Sequence, residues 1–373
     1  MATKAKHHGS SRGGRNSRKM SAKRRKARQR RRILLFVGEI AAIVVLLAVI
    51  AGVNTVNKME KIQIDEEAVG ISEHVEQNEQ MKGYRNIALF GVDSRKGKLG
   101  KGQRTDTIII ASVNMDTKDV KLVSVYRDSY LNLGNDKYNK ANSAYAQGGA
   151  EQALVMLNWN FDMDITEYMT VGFDALIETI DALGGVQIDV QANEIEHLNN
   201  YQRSMFVEKE GDPLNENIVK VTQPGLQTLS GLQATAYCRI RYVGDDYART
   251  ERQRKVLMAC LEKAKQANPA TLVEILNRVV ENVQTNLDIT EMADILKDVA
   301  AYSVVGQDGV PFASNRGSGT IGKKGSCVVP LDLAENVKLL HEYLFDETDY
   351  QPSAQVLECS EKIKSDTAGF NIH

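Results

Sequence analysis

Twenty-one consecutive residues, Ile33–Val53 (ILLFVGEIAAIVVLLAVIAGV), carry a single charge, Glu39, and constrain this chain more than any other feature. A helix of that length rises roughly 31 Å at about 1.5 Å per residue, which matches a hydrocarbon core of about 30 Å. A cleaved leader has a shorter apolar stretch with a small-x-small site after it, and this run shows neither. A buried core helix is seldom so long, uncapped and set against a basic block. Here Lys23, Arg24, Arg25, Lys26, Arg28, Arg30, Arg31 and Arg32 abut the run. The positive-inside rule then keeps residues 1–32 in the cytoplasm as a basic tail, makes residues 33–53 a transmembrane signal-anchor, and sends the rest outside. Glu39 lies toward the basic end, within reach of head groups.

The chain looks neutral, with 47 Lys/Arg against 48 Asp/Glu, but residues 1–32 hold 14 of the basic residues and no acidic one. The remainder carries 33 basic against 48 acidic side chains. The tail has no interleaved aromatics, so contact with anionic lipid explains it better than nucleic acid, and no nucleic-acid partner is expected. Cys238, Cys260, Cys327 and Cys359 form no Cys-x-x-Cys pair, which argues against zinc or thioredoxin-like chemistry. Disulfides are permitted outside the cell, and the sequence leaves their pairing open.

Residues 54–83 are polar and acid-rich and read as a stalk. Residues 84–348 read as the folded body and 349–373 as a loose tail. β-rich runs at Asn86–Asp93, Thr107–Val113, Val120–Val125, Glu167–Phe173 and Val186–Val190 are bounded by turn residues. Phe173, Leu176, Ile177, Ile180 and Leu183 recur at helical spacing and stop at Gly184-Gly185. Further helices are expected at Gly148–Asn160, Ser230–Arg241, Thr250–Ala267, from Pro269 to about Val283, Ile289–Val299 and Leu331–Phe345. The alternation predicts an α/β protein: an αβα sandwich around a central mixed β-sheet, preceded by one N-terminal transmembrane helix.

Four segments gather charge at strand ends, where open α/β sheets place ligands. Asp93 follows one apolar strand and Arg104-Thr-Asp106 precedes the next, so Asp93 and Asp106 are placed to share a hard cation such as Mg²⁺. Turn-capping accounts for the same pattern. Arg127-Asp128 follows the strand ending at Val125; an arginine there suits a phosphate, and a local Arg–Asp surface pair is the alternative. Arg239, Arg241, Asp246, Arg249 and Gln253 crowd the approach to a helix. Arg249 and Gln253 are four apart on one face, near the positive end of the helix dipole. Together the segments point to a pocket for pyrophosphate with a divalent ion. Gly317–Lys323 nearly makes a P-loop, but Lys324 stands where Ser or Thr would hold Mg²⁺, and it reads as a glycine-rich turn. No Gly-x-Ser-x-Gly elbow is present in residues 84–348, and no His-Glu-x-x-His pair in the chain.

The runs NIALFGVDSR, QRTDTIIIASVN, KLVSVYRDSYL, YNKANSAYAQGGAEQAL, FDALIETIDALGGVQIDV, PGLQTLSGLQATAYCRIRY and DYARTERQRKVL, in that order over residues 86–265, resemble the LytR-CpsA-Psr family. The resemblance implies an extracytoplasmic, membrane-anchored enzyme with an α/β sandwich core. It implies that a polyprenyl (pyro)phosphate lies with its tail in an apolar tunnel and its head among arginines, and that an anionic glycopolymer passes from that carrier to peptidoglycan. By motif, Asp93 and Asp106 resemble the Mg²⁺ ligands, and Arg104, Arg127, Arg239, Arg241, Arg249 and Gln253 the head-group ligands. Lys140 matches a lysine near the phosphates and Asp246 an acidic position beside them. Two departures from the pattern are Tyr126, where the family has Pro, and a short Arg241–Arg249 stretch with Ala248 where Gly is common. The implied reaction is phosphoryl transfer. Arg127, Arg239 and Arg241 would steady the transition state, and Asp128 or Asp246 would take the hydroxyl proton. A pyrophosphate hydrolase and a membrane-tethered regulator of transcription are the rival readings.

Overall fold

The computed structural model describes residues 60–61, 64, 66–93, 99–206, 218–279, 282–288, 291–292, 295 and 299–373. The expected anchor at Ile33–Val53 lies outside the described residues, and among those residues no helix is long and apolar enough to cross a membrane. The helix expected at Ile289–Val299 also lies largely outside them.

Thirteen strands among the described residues are β1 (Glu60–Lys61), β2 (Tyr84–Val92), β3 (Thr105–Asn114), β4 (Asp119–Val125), β5 (Tyr130–Asn132), β6 (Tyr138–Lys140), β7 (Glu167–Gly172), β8 (Val186–Val190), β9 (Gly225–Leu229), β10 (Val283–Thr285), β11 (Ser303–Val310), β12 (Arg316–Thr320) and β13 (Ser326–Pro330). The helices are α1 (Glu73–Glu76), α2 (Asn142–Phe161), α3 (Phe173–Ala182), α4 (Ile195–Phe206), α5 (Gly231–Cys238), α6 (Asp246–Gln266), α7 (Pro269–Val279), α8 (Leu333–Phe345) and α9 (Ala354–Thr367). Seven strands form one mixed sheet in the order β1-β10-β7-β2-β3-β4-β11. β2 pairs antiparallel with β3 (Phe90 opposite Ile108) and parallel with β7 (Ile87 opposite Glu167).

Side chains alternate across the sheet, so each strand feeds two cores. Ala88, Phe90, Ile108, Ile110, Val123 and Val125 face a tightly filled core closed by α2, α8 and α9. The other face carries Leu89, Ile109, Ala111, Val120 and Leu122 beneath Leu257 and Met258 of α6. That second layer is filled less completely. Leu89, Met169, Val171, Leu176, Leu257 and Met258 are all only half-buried. Helices on both faces make the αβα sandwich expected from the alternation.

Three expectations need correction. The tail from 349 onward is not loose: α9 buries Val356, Cys359 and Ile363 completely, and Ser353 donates both N–H and O–H to Asp162 (2.7 and 2.6 Å). Its buried apolar residues recur at a spacing of three to four, a sparse stripe among polar neighbours. The stalk is not wholly separate, because Val69, Val75 and Met81 enter the main core. Gly317–Lys323 is not merely a turn: β12 and β13 form an antiparallel hairpin with Gly322–Gly325 at its tip. All four cysteines are free.

Candidate active site

Asp106 owes its direction to a β-bulge. Gly91 pairs with Thr107 and Val92 with Thr105, so Asp106 is the extra residue, and bulges re-aim side chains in this way. Glycine is required at 91 because a Cβ there would stand 2.9 Å from the Thr107 Cβ. Asp93 leaves the same end of the neighbouring strand.

Arginines from separate elements converge on these two carboxylates. Arg127, just after β4, pairs with Asp106, and its Nε lies 3.3 Å from Asp128. Arg241 Nη2 is 3.6 Å from the second Asp106 oxygen, and Arg239 Nη2 is 3.3 Å from Asp93. Gln253 Nε2 donates to the Asp106 carbonyl (3.3 Å). Arg249, 2% exposed, reaches Asp246 at 3.0 Å. Lys140 Nζ lies 3.1 Å from Asp128. The loop after α5 that holds Arg239 and Arg241 lies against α6 through Arg252, which donates to the carbonyls of Ile240 (3.2 Å) and Val243 (2.6 Å).

The charges do not balance locally. Nη1 of Arg239 and both Nε and Nη1 of Arg249 are buried with no hydrogen-bond partner among the described residues. An unpaired buried guanidinium N–H is costly, so these donors have hydrogen-bonding capacity to spare for an anion. Burial, with Arg127 and Arg241 close by, holds Arg249 below its usual range, whereas Arg127 is raised because Asp106, Asp128 and Asp246 outweigh its burial. Two carboxyls, Asp128 and Asp246, interact closely enough to split their proton affinities. Burial and a hydrogen bond to Asp128 push Asp246 up to about 6. Asp128, despite its burial, is brought below the usual range by that hydrogen bond and by Arg127 and Lys140.

Arg104 stands apart from this network. It is exposed, and together with Lys140, Asn139, Asn142, Ser143, Lys323 and Lys324 it lines an adjoining cavity of about 370 Å³. Two arginines of the same stretch serve elsewhere: Arg252 pairs with buried Glu194 (2.7 Å), and Arg254 donates to the Asp308 carbonyl (3.1 Å). Sequence reasoning missed Lys323, Lys324, Tyr247 and Arg316. The near-P-loop was the one signal for the lysines. Arg316 lies 3.6 Å from the Tyr247 ring centroid and donates to Tyr126 Oη (2.6 Å). Tyr126, where a Pro was expected, is thus tied to the start of α6.

Among the described residues no three or more His, Cys, Asp or Glu side chains gather as a metal cage. Asp93 and Asp106 offer two carboxylates. Two is the number of carboxylates Mg²⁺ commonly takes beside water and phosphate oxygens, and here both are also paired with arginines.

Fold and site define an α/β sandwich protein with a cluster of arginines and aspartates at the end of its central sheet. The LytR_cpsA_psr family model matches residues 46–333, and the chain belongs to that family. It is 33% identical over 229 residues to the polyisoprenyl-teichoic acid–peptidoglycan teichoic acid transferase TagU of Enterococcus faecalis, covering 60% of this chain and 68% of the relative. It is 28% identical over 292 residues to biofilm regulatory protein A of Streptococcus mutans, covering 68% of this chain and 66% of the relative. The crystal structure of Bacillus subtilis TagV superposes with a TM-score of 0.55 at 26% identity, over 73% of this chain and 99% of that one.

Proposed function

We propose that this chain is a membrane-anchored phosphotransferase that moves an anionic glycopolymer, of teichoic acid or capsular polysaccharide type, from a polyprenyl-pyrophosphate carrier to peptidoglycan, outside the cell. One observation carries the reading. Inside an acidic body, Arg127, Arg239, Arg241 and Arg249 converge, with buried N–H groups of Arg239 and Arg249 left for a ligand. The name of the Enterococcus faecalis relative supports the substrates. Arg239 lies over Phe173 (4.8 Å to the ring centroid), and the half-buried apolar residues of α3 and the sheet continue from there, a surface suited to a lipid tail.

In the proposed reaction a peptidoglycan sugar hydroxyl attacks the phosphorus next to the polymer. A new P–O bond forms, the bridging P–O bond breaks, and polyprenyl monophosphate leaves. The protein's part is positioning and charge neutralisation. Arg127, Arg239 and Arg241 hold the transferring and leaving phosphates, Arg249 and Gln253 fix the α6 side, and Arg104 with Lys140 flanks the polymer side. Asp246, the more basic carboxylate of the pair, takes the hydroxyl proton, and Asp128 keeps Lys140 and Arg127 in place. Asp93 and Asp106 would hold Mg²⁺, which when bound would supply positive charge against the phosphates.

The test uses the full chain in detergent with a lipid-pyrophosphate-linked polymer and Mg²⁺, with and without peptidoglycan. Polymer should appear on peptidoglycan, and Arg127→Ala and Arg239→Ala should each slow transfer by about 10²–10³ while remaining folded. Equal release of polyprenyl phosphate without peptidoglycan would make the protein a hydrolase. Wild-type transfer in both variants would refute the pocket.

A further inference from the structure

The cavity beside Lys140 has its own chemistry. Four cations, Arg104, Lys140, Lys323 and Lys324, line it, the remaining walls are Asn139, Asn142 and Ser143, and no lining residue is acidic. Outside the basic tail the chain has more acidic than basic residues, so four cations around one hollow need an explanation. Like charges brought together repel unless a counter-ion joins them.

Lys323 is exposed, whereas Lys324 is held. Lys324 Nζ donates to the Tyr138 carbonyl (2.6 Å) and lies 5.2 Å from the Tyr130 ring centroid. The hairpin that carries it is fastened on two sides. Val328 N–H donates to the Asp128 carbonyl (3.0 Å), and Ser318 Oγ meets Tyr247 Oη (3.0 Å) at the start of α6. Its tip is therefore set relative to the Arg127–Asp128 segment and to α6 together. Lys140 joins the two regions, since it lines the cavity and also pairs with Asp128 of the reacting cluster. An anion in the cavity sits one side chain away from the pyrophosphate ligands.

We propose that this cavity is a second anion subsite, in which Lys323 and Lys324 take a phosphodiester of the donor's polymer beyond the pyrophosphate. The proposal rests on the transferase reading and adds to it. The pyrophosphate arginines recognise what every lipid-linked donor shares, whereas this subsite recognises the charge of the polymer. It makes the hairpin tip a specificity element. Lys323 and Lys324 here bind and orient, and neither touches the reacting phosphorus.

The experiment has a binding arm and a kinetic arm, both on the full chain in detergent. In the first, calorimetry compares a short glycerol-phosphate oligomer with inorganic phosphate. The wild type should bind the oligomer more tightly. Lys323→Gln/Lys324→Gln should weaken it at least about tenfold, as loss of charge-assisted hydrogen bonds does. Lys324→Arg should restore most of the affinity. Because Lys324 also packs on Tyr130, Lys323→Gln alone serves as a variant that leaves that packing intact, and it should show part of the loss. Unchanged oligomer affinity in both variants overturns the subsite. A wild type that binds inorganic phosphate as tightly as the oligomer overturns the polymer assignment. In the kinetic arm, the double variant should raise KM for a phosphate-rich donor about tenfold, with kcat within about twofold, and leave a neutral-saccharide donor unchanged. Equal loss on both donors overturns the specificity role. A wild type that binds the oligomer through these lysines but transfers nothing supports the subsite and defeats the transferase reading.

Discussion

Replacing Arg252 by methionine should unfasten the pocket from behind. Arg252 is 4% exposed and Glu194 5% exposed, and they pair at 2.7 Å. The same guanidinium donates to the carbonyls of Ile240 and Val243, within the loop that carries Arg239 and Arg241. Removing one partner of a buried pair leaves the other charge uncompensated, which costs about 3–5 kcal/mol. Two carbonyls also lose their donor, at roughly 1 kcal/mol each. Glu194 can escape part of this by taking up a proton, so the expected loss is about 4 kcal/mol, a large share of the roughly 5–15 kcal/mol that holds a domain together. Urea denaturation followed by the single tryptophan, Trp159 of α2, measures it. Adding Glu194→Gln to Arg252→Met removes the stranded charge. The amide oxygen can still accept from Gln191 N–H, as Glu194 does now at 2.9 Å. The double variant should therefore regain about half of the lost stability, because it no longer buries a lone carboxylate. Activity should stay low, since the loop remains untied and misplacement by about 1 Å costs roughly 10²-fold. A loss under about 1 kcal/mol for Arg252→Met, or further destabilisation on adding Glu194→Gln, would refute the assignment of Arg252 to this structural role.

With Asp246 at about 6 and required in its ionised form, kcat/KM should fall as pH drops through about 6, and Asp246→Asn should lose about 10²–10⁴ in rate together with that limb of the profile. A wild-type-shaped profile in the variant would move the base elsewhere. His341, fully buried and stacked on Tyr350 with ring centroids 3.5 Å apart, is lowered to about 4 by burial. The unfolded chain therefore binds more protons below about 6.5, and the stability this histidine contributes above that pH is lost as pH falls toward 4. Between pH 7 and 4.5 the stability gap between wild type and His341→Phe should shift by about 2–3 kcal/mol in the variant's favour, read from urea midpoints; a constant gap would contradict it. Ending the chain at Pro352 removes Val356, Cys359 and Ile363, each buried at about 1.5–3 kcal/mol, so the truncated protein should lose at least about 4 kcal/mol by the Trp159 signal, whereas a true tail would lose nothing.

The sequence by itself determined the sandwich. Period-two runs at Asn86–Asp93 and Thr107–Val113 and the helical stripe through Phe173, Leu176 and Ile180 are local patterns, and local patterns need no partner to be read. It also determined which charged side chains lie at strand ends, because Asp93, Arg127 and their neighbours directly follow or precede apolar runs. The short strands β5, β6 and β10 were not legible, since three residues hold no period. Neither was α9, whose apolar stripe is sparse among polar neighbours. The tertiary structure alone decided how the arginines divide their work. Arg239, Arg241 and Arg249 turn toward the aspartates and Arg252 turns away to Glu194, although all four share one short stretch of chain, because each takes the partners that tertiary packing brings to it: Arg252, three residues beyond Arg249 on the same helix, meets Glu194 and the Ile240 and Val243 carbonyls. It also carried a glycine-rich hairpin from more than 180 residues away to within reach of Lys140 and Tyr138. Spacing along a chain fixes direction within one element. Distances between elements depend on how the cores on the two faces of the sheet pack, and no local pattern encodes that.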